Sequence, residues 1–207
     1  MKMKLTKRRS GTPETFYNAI SEAEKSKQKR IFTYSTLAER YILFTYLFDN
    51  SIEVSMFSRD ISLFSKQNLM NLINEKCENI KEIRDKFIKS FTNYMNKENV
   101  ILQILVDNIT SDSIKQIDDS IKQTFINAID KYKIELKEMN DELSKVKGIN
   151  HFTLTRDRSL VCFEQEERDF DLFSVGDYAL HNTSCSVFDG FFTMSKTFQR
   201  EEITNNK

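Results

Sequence analysis

The stretch from Ser113 to Lys147, SIKQIDDSIKQTFINAIDKYKIELKEMNDELSKVK, decides how the whole chain reads. Ile114, Ile117, Ile121, Phe125, Ala128, Tyr132, Leu136, Met139, Leu143 and Val146 recur there at steps of three and four, with Lys, Asp, Glu and Gln between them. Such spacing puts the apolar residues on one stripe of an α-helix, close to the eleven-residue repeat of a nearly straight one. Lys145 and Lys147 complement the dipole of its last turn, and Gly148 supplies a C-cap. The expectation is a spine helix at about 113–147 whose stripe is the core of a bundle or the seam of a dimer.

Composition points the same way. Four Gly and one Pro in 207 residues fall far below the roughly 7% and 5% of average usage, so turn-rich β folds and glycine-rich phosphate loops are disfavoured. Charge is balanced at 31 basic and 31 acidic residues but unevenly placed. Residues 1–30 carry nine basic and three acidic side chains, and residues 164–207 carry four and nine. The basic start reads as a solvated arm or as a phosphate contact. No broad basic surface is legible, so DNA is not expected as a partner.

Working outward from the spine, Thr12-Pro13-Glu14 opens a first helix that runs to about Arg30, and a second, nearly fully buried helix follows Ser35 through Phe48. Apolar steps of three and four extend from Lys66 to Tyr94 with a kink near Glu78, and Val100 to Ile109 reads as a short apolar helix. Ile149 to Phe163 alternates around Arg156-Asp157-Arg158 and reads as an extended connection or hairpin, with a turn that pairs with Glu164 to Glu167. A last amphipathic helix at about 173–198 carries Tyr178, His181, Cys185, Phe188 and Phe192, with Gly176 and Gly190 inside it. The fold class is then all-α, a bundle of five or six helices. Its organisation is a basic arm at 1–11, one helical domain at 12–200 and a tail at 201–207.

Few residues offer chemistry. His151 and His181 are the only imidazoles, Cys77, Cys162 and Cys185 form no C-x-x-C pair, and no apolar run approaches the length of a membrane span. Reduced thiols and a cytoplasmic location are expected, with no metal and no cofactor. Asp177 and His181 stand four apart on one helix face, but two ligands do not make a metal site. Arg156 and Arg158 flank a carboxylate and are open to two readings, a phosphate clamp or a salt-bridged turn.

A capped amphipathic helix ending in a basic turn, a polar segment with Arg-Asp-Arg-Ser-Leu, an acidic stretch and a final amphipathic helix resemble the HEPN superfamily of helical bundles, particularly its abortive-infection types. That resemblance implies a dimeric all-α bundle with a paired Arg and His that cleave RNA, in toxin–antitoxin or phage defence. Laid on the family motif, the chain keeps Asn150 and Asp157 but has Ile149 at the Arg position and Thr155 at the His position. A threonine hydroxyl cannot take a proton near neutral pH as an imidazole does.

The resulting expectation is a HEPN-like protein without catalysis, acting as a homodimer or on a protein partner, with possible RNA contact and no membrane. The alternatives are an active metal-independent endoribonuclease toxin with an atypical site at His151, Arg156 and Arg158, and a purely structural dimeric adaptor.

Overall fold

The chain folds on an eight-stranded mixed sheet, so the all-α expectation is overturned. The structure is a computed structural model that describes residues 13–74, 79–107, 109, 111–140, 142, 150–164 and 170–198. In chain order the helices are α1 (Pro13–Lys25), α2 (Leu37–Asn50), α3 (Lys66–Asn74), α4 (Ile80–Asn96), α5 (Ser111–Lys115), α6 (Asp119–Asp130) and α7 (Tyr178–Met194). The strands are β1 (Arg30–Tyr34), β2 (Glu53–Ser58), β3 (Ile101–Val106), β4 (Ile134–Glu138), β5 (Phe152–Thr155), β6 (Leu160–Phe163), β7 (Asp171–Val175) and β8 (Lys196–Thr197). They lie in the order β1-β7-β6-β5-β2-β3-β4-β8.

The expected spine helix is two helices and a strand. Asp118 stops α5 and starts α6 as an N-cap, its Oδ1 accepting from Ser120 N at 3.0 Å. α6 ends where Tyr132 turns to φ 55 and Lys133 N donates to Ala128 O at 2.9 Å, the six-to-one bond of a Schellman end. Tyr132 therefore points to solvent, 85% exposed, instead of continuing the stripe. Beyond it Ile134 and Leu136 face inward and Glu135 faces out, the period-two pattern of a strand. Leu143, Val146 and the Gly148 cap lie outside the described residues.

The same ambiguity hid β3. Leu102, Ile104 and Val106 face the main core while Leu105 packs on the opposite side, so a strand buried on both faces presents the continuous apolar run that was read as a helix. The last helix is shorter than expected, because Phe173 belongs to β7 and Asp177 caps α7. Gly176 closes β7 at φ +72, not inside a helix, and its N–H bonds Ser159 O at 3.0 Å.

The first helix, expected to reach about Arg30, ends at Lys25 and Arg30 opens β1, while some other expectations agree with the structure. α2 is buried almost throughout and opens with a capping box in which Thr36 and Glu39 bond each other's backbone N–H. α3 and α4 cover 66–96 on either side of residues 75–78, which lie outside the described residues. β5 and β6 form the hairpin around Arg156-Asp157-Arg158.

β2, β3 and β4 are mutually parallel, joined by helical crossovers, and β5 runs antiparallel to β2 on its other side. Following the pairings across the sheet, β1, β2, β3, β4 and β6 run in one direction and β5, β7 and β8 in the other. One large core joins the inner sheet face to α1, α2, α3, α4 and α6. A smaller core, centred on Phe57, Phe152, Phe188 and Phe192, packs α7 on the other face.

Asp118 also ties α6 to α4, since Arg84 Nη2 stands 3.3 Å from its carboxylate. Burial pushes that carboxyl up, but the Ser120 hydrogen bonds and Arg84 outweigh it and hold it below the usual carboxylate range. Asp118→Ala is expected to cost about 1–2 kcal/mol in urea unfolding at neutral pH. A carboxyl depressed in the folded state stabilises above its unfolded pKa and loses that contribution as pH falls. The gap between wild type and variant should therefore close in acid.

A candidate site at the carboxyl ends of the strands

The strand directions place Tyr34, Ser58, Val106, Glu138 and Phe163, the last residues of β1, β2, β3, β4 and β6, at one end of the sheet, together with the first residues of β5 and β7. Beside β2 the sheet changes from parallel to antiparallel pairing, and open α/β sheets bind ligands in the crevice outside such carboxyl ends. Four polar side chains, Arg40, Glu164, His151 and Asp107, lie in succession across this end.

Arg40, in the first turn of α2, pairs through Nη2 with Glu164 Oε1 just beyond β6. Glu164 N donates to His151 O at 2.8 Å, which fixes Glu164 beside the residue that precedes β5. His151 Nε2 lies 3.0 Å from Asp107 Oδ2, just beyond β3. Asp107 N in turn bonds Ser58 O at 3.3 Å, which ties it to the end of β2. An ionised carboxylate only accepts, so His151 Nε2 carries a proton and donates it to Asp107. The ring stands edge-on against Phe57 at 4.9 Å and is 6% exposed.

Electrostatics set the tone of the site. Burial raises the Glu164 carboxyl, Arg40 and His151 lower it, and Asp171 and Asp60 raise it again, so that it stands above the usual range. Burial opposes the charge on Arg40, and Glu164 together with Tyr34, Cys162 and Asp171 outweighs it. Arg40 Nε is buried and, among the described residues, has no hydrogen-bond partner. A pocket of about 490 Å³ opens beside it, lined by Tyr34 to Leu37, Phe170 and Asp171. The N-terminus of α2 in that pocket already holds an anion, because Ser35 N and Thr36 N donate to Glu39 Oε2 at 3.1 and 3.3 Å. Cys162 is no nucleophile: burial pushes its thiol up to about 12, and it bonds Tyr34 Oη at 2.6 Å.

The sequence matches no protein-family model and no curated protein. Its fold is similar to that of solved structures. One is TrmBL2, an archaeal chromatin protein described as showing a novel mode of DNA binding, with a TM-score of 0.49 and 11% identity over 89% of this chain and 61% of that one. Another is Nuc from Salmonella typhimurium, a phospholipase D family member, with a TM-score of 0.45 and 9% identity over 83% of this chain and 98% of that one. A third is NucT from Helicobacter pylori, with a TM-score of 0.44 and 13% identity over 83% and 99%. The chain thus spans less than two thirds of the chromatin protein.

The HEPN resemblance does not survive the sheet. Thr155, set at the family's His position, is fully buried in β5, where its Oγ1 donates to Arg158 O at 2.9 Å. Asp157 accepts from Ile52 N at 3.2 Å, Asn150 is exposed, and Ile149 lies outside the described residues. The defence or toxin–antitoxin role, the homodimer and the RNA contact rested on that resemblance and fall with it. The exclusion of DNA rested on the sequence reading alone and is not kept.

The structure does not bring the three candidates His151, Arg156 and Arg158 together. His151 precedes β5 and the arginines follow it, so they flank opposite ends of a strand that rises about 3.4 Å per residue. Arg156 pairs with Asp189 at 2.6 Å and Arg158 with Glu24 at 2.6 Å; of the acidic run expected to pair with them only Glu164 lies in the described residues, and it pairs with Arg40. Arg40, Asp107 and Glu164 escaped sequence reasoning. Asp107 had a usable signal, a carboxylate directly after an apolar run, once that run is read as a strand. Arg40 had none, being one of three charged residues in a largely buried helix.

No helix among the described residues is long and apolar enough to cross a membrane, and none of their His, Cys, Asp and Glu side chains form a metal-binding group of three.

Proposed function

We propose that the carboxyl-end crevice acts on a phosphodiester, with His151 as its general base and acid. The observation that carries this reading is the His151–Asp107 pair at 3.0 Å, beside a guanidinium, at the end of the sheet where such folds hold ligands. Asp107 fixes the tautomer and orientation of the ring, as the carboxylate of a catalytic triad does. His151 Nδ1 takes a proton from water as its oxygen attacks phosphorus, the ester P–O bond breaks, and the imidazolium returns the proton to the leaving oxygen. Arg40 supplies positive charge for the crowded phosphorus centre. Asp60 and Asp171 act on Glu164 and Asp107 pairs with His151, and these carboxylates repel an extended polyanion, so one phosphate enters at a time.

One observation favours a second reading, binding without turnover: Arg40 is already paired with Glu164. Rates with bis(p-nitrophenyl) phosphate and with linear DNA separate the two. Hydrolysis should fall by about 100-fold or more in His151→Ala. It should hold in Arg158→Ala, whose side chain sits at the other end of the strand. Binding of a dialkyl phosphate with no turnover supports the second reading, and neither binding nor turnover rejects both.

A further inference from the structure

A second cluster with nucleophilic character lies away from the crevice, on the sheet-facing side of α7. His181, Cys185 and Asp189 stand four residues apart along that helix. His181 Nε2 is 2.6 Å from the carbonyl oxygen of Thr155. A carbonyl only accepts, so Nε2 carries the proton and Nδ1 is left as the acceptor. Cys185 Sγ lies within 4 Å of both ring nitrogens, 3.9 Å from Nδ1 and 3.8 Å from Nε2. Arg156, held by Asp189 and by Ser55 Oγ at 2.9 Å, is close enough to the same sulfur to favour its negative charge. Cys185 is partly exposed, whereas Cys162 is buried in the sheet.

Burial pushes the Cys185 thiol up, Arg156 pulls it down and Asp189 pushes it up again, leaving it above its ordinary value. The sulfur is therefore protonated at neutral pH and reacts only if a neighbour takes the proton as it attacks. The locked tautomer of His181 puts that acceptor beside it.

We propose that Cys185, His181 and Arg156 form a thiol site that exchanges with low-molecular-weight disulfides. Cys185 Sγ attacks one sulfur of the disulfide and its proton passes to His181 Nδ1. The new S–S bond forms as the old one breaks, and the departing thiolate takes the proton back. Arg156 stabilises the negative charge on sulfur during the transfer.

The test is a time course with glutathione disulfide on the full chain, read by peptide-resolved mass spectrometry so that each cysteine is followed separately. Cys185 should form the mixed disulfide at least about tenfold faster than Cys162, whose sulfur is shut in the core. In His181→Asn the rate at pH 7 should drop about tenfold and then climb about tenfold per pH unit with the thiolate population. Asp189→Asn leaves the dyad in place and removes the carboxylate that raises the thiol, so its rate should rise about three- to tenfold. The proposal is overturned if Cys185 reacts no faster than Cys162, if a folded His181→Asn keeps the wild-type rate, or if Asp189→Asn is no faster than wild type.

Discussion

Phe87→Ala is expected to lower the unfolding free energy by about 3–5 kcal/mol, the usual range for emptying an aromatic core site. Phe87 projects from α4 and is fully buried. Its ring meets Tyr41 edge-on at 4.7 Å, Phe48 at 6.0 Å and Phe64 at 6.3 Å, so it joins α4 to α2 and to the Ser62–Phe64 turn. Phe64 continues the cluster to Phe91 and to Phe125 of α6. Three helices on the inner sheet face thus share one aromatic network, which cannot collapse around a missing ring without moving a helix. Urea unfolding at constant slope measures the loss. Phe87→Leu, which keeps most of the volume, should cost about 1–1.5 kcal/mol. A loss below about 1 kcal/mol in Phe87→Ala would mean that the cluster does not hold these helices together.

Arg40→Ala is expected to be the most damaging change at the crevice, by about 2–4 kcal/mol at pH 7. That is somewhat below a fully buried pair, because the two side chains remain 25% and 22% exposed. The cost comes from leaving the Glu164 carboxylate buried without its cation, close to Asp171 and Asp60. Its pH dependence has a definite sign. The folded-state pKa of Glu164 is already raised, so ionisation of this group opposes folding; its contribution is intact below the unfolded pKa and is lost as pH rises through the folded one. Losing Arg40 raises the folded pKa further. The deficit should therefore be large at pH 7 and shrink toward about pH 4, where the carboxyl is protonated in both states. Adding Glu164→Gln to Arg40→Ala should recover most of the loss at pH 7. A deficit that does not change with pH would locate the cost in packing instead.

The sequence disclosed local structure well and long-range pairing poorly. α2 was legible because an aromatic and aliphatic stretch, Tyr41 to Phe48, runs through it, and the β5–β6 hairpin because polar residues interrupt alternation. The stretch 113–147 misled because Leu136, which alternates with Ile134 in β4, and Met139 just after it also fall on steps that continue the α6 stripe. Sparse apolar positions fit a period of 3.6 and a period of 2 alike. What separates them is a left-handed Tyr132, a residue whose type gives no warning of positive φ. With the strands hidden, so was the sheet end they share. His151 was singled out for its chemistry, but Asp107 lies 44 residues before it, and Arg40 reaches Glu164 across 124 residues. Nothing local in a single sequence marks such pairs.

The central claim is that ligand chemistry in this chain resides at His151. Because the chain has only two histidines, long-range proton–nitrogen NMR spectra of the imidazoles contain two ring systems. Titration with dimethyl phosphate should shift the ring nitrogens of His151 and leave those of His181 in place, with both Nε2 atoms protonated as their partners Asp107 and Thr155 require. A His151 ring that stays unmoved at saturating phosphate diester would contradict the account.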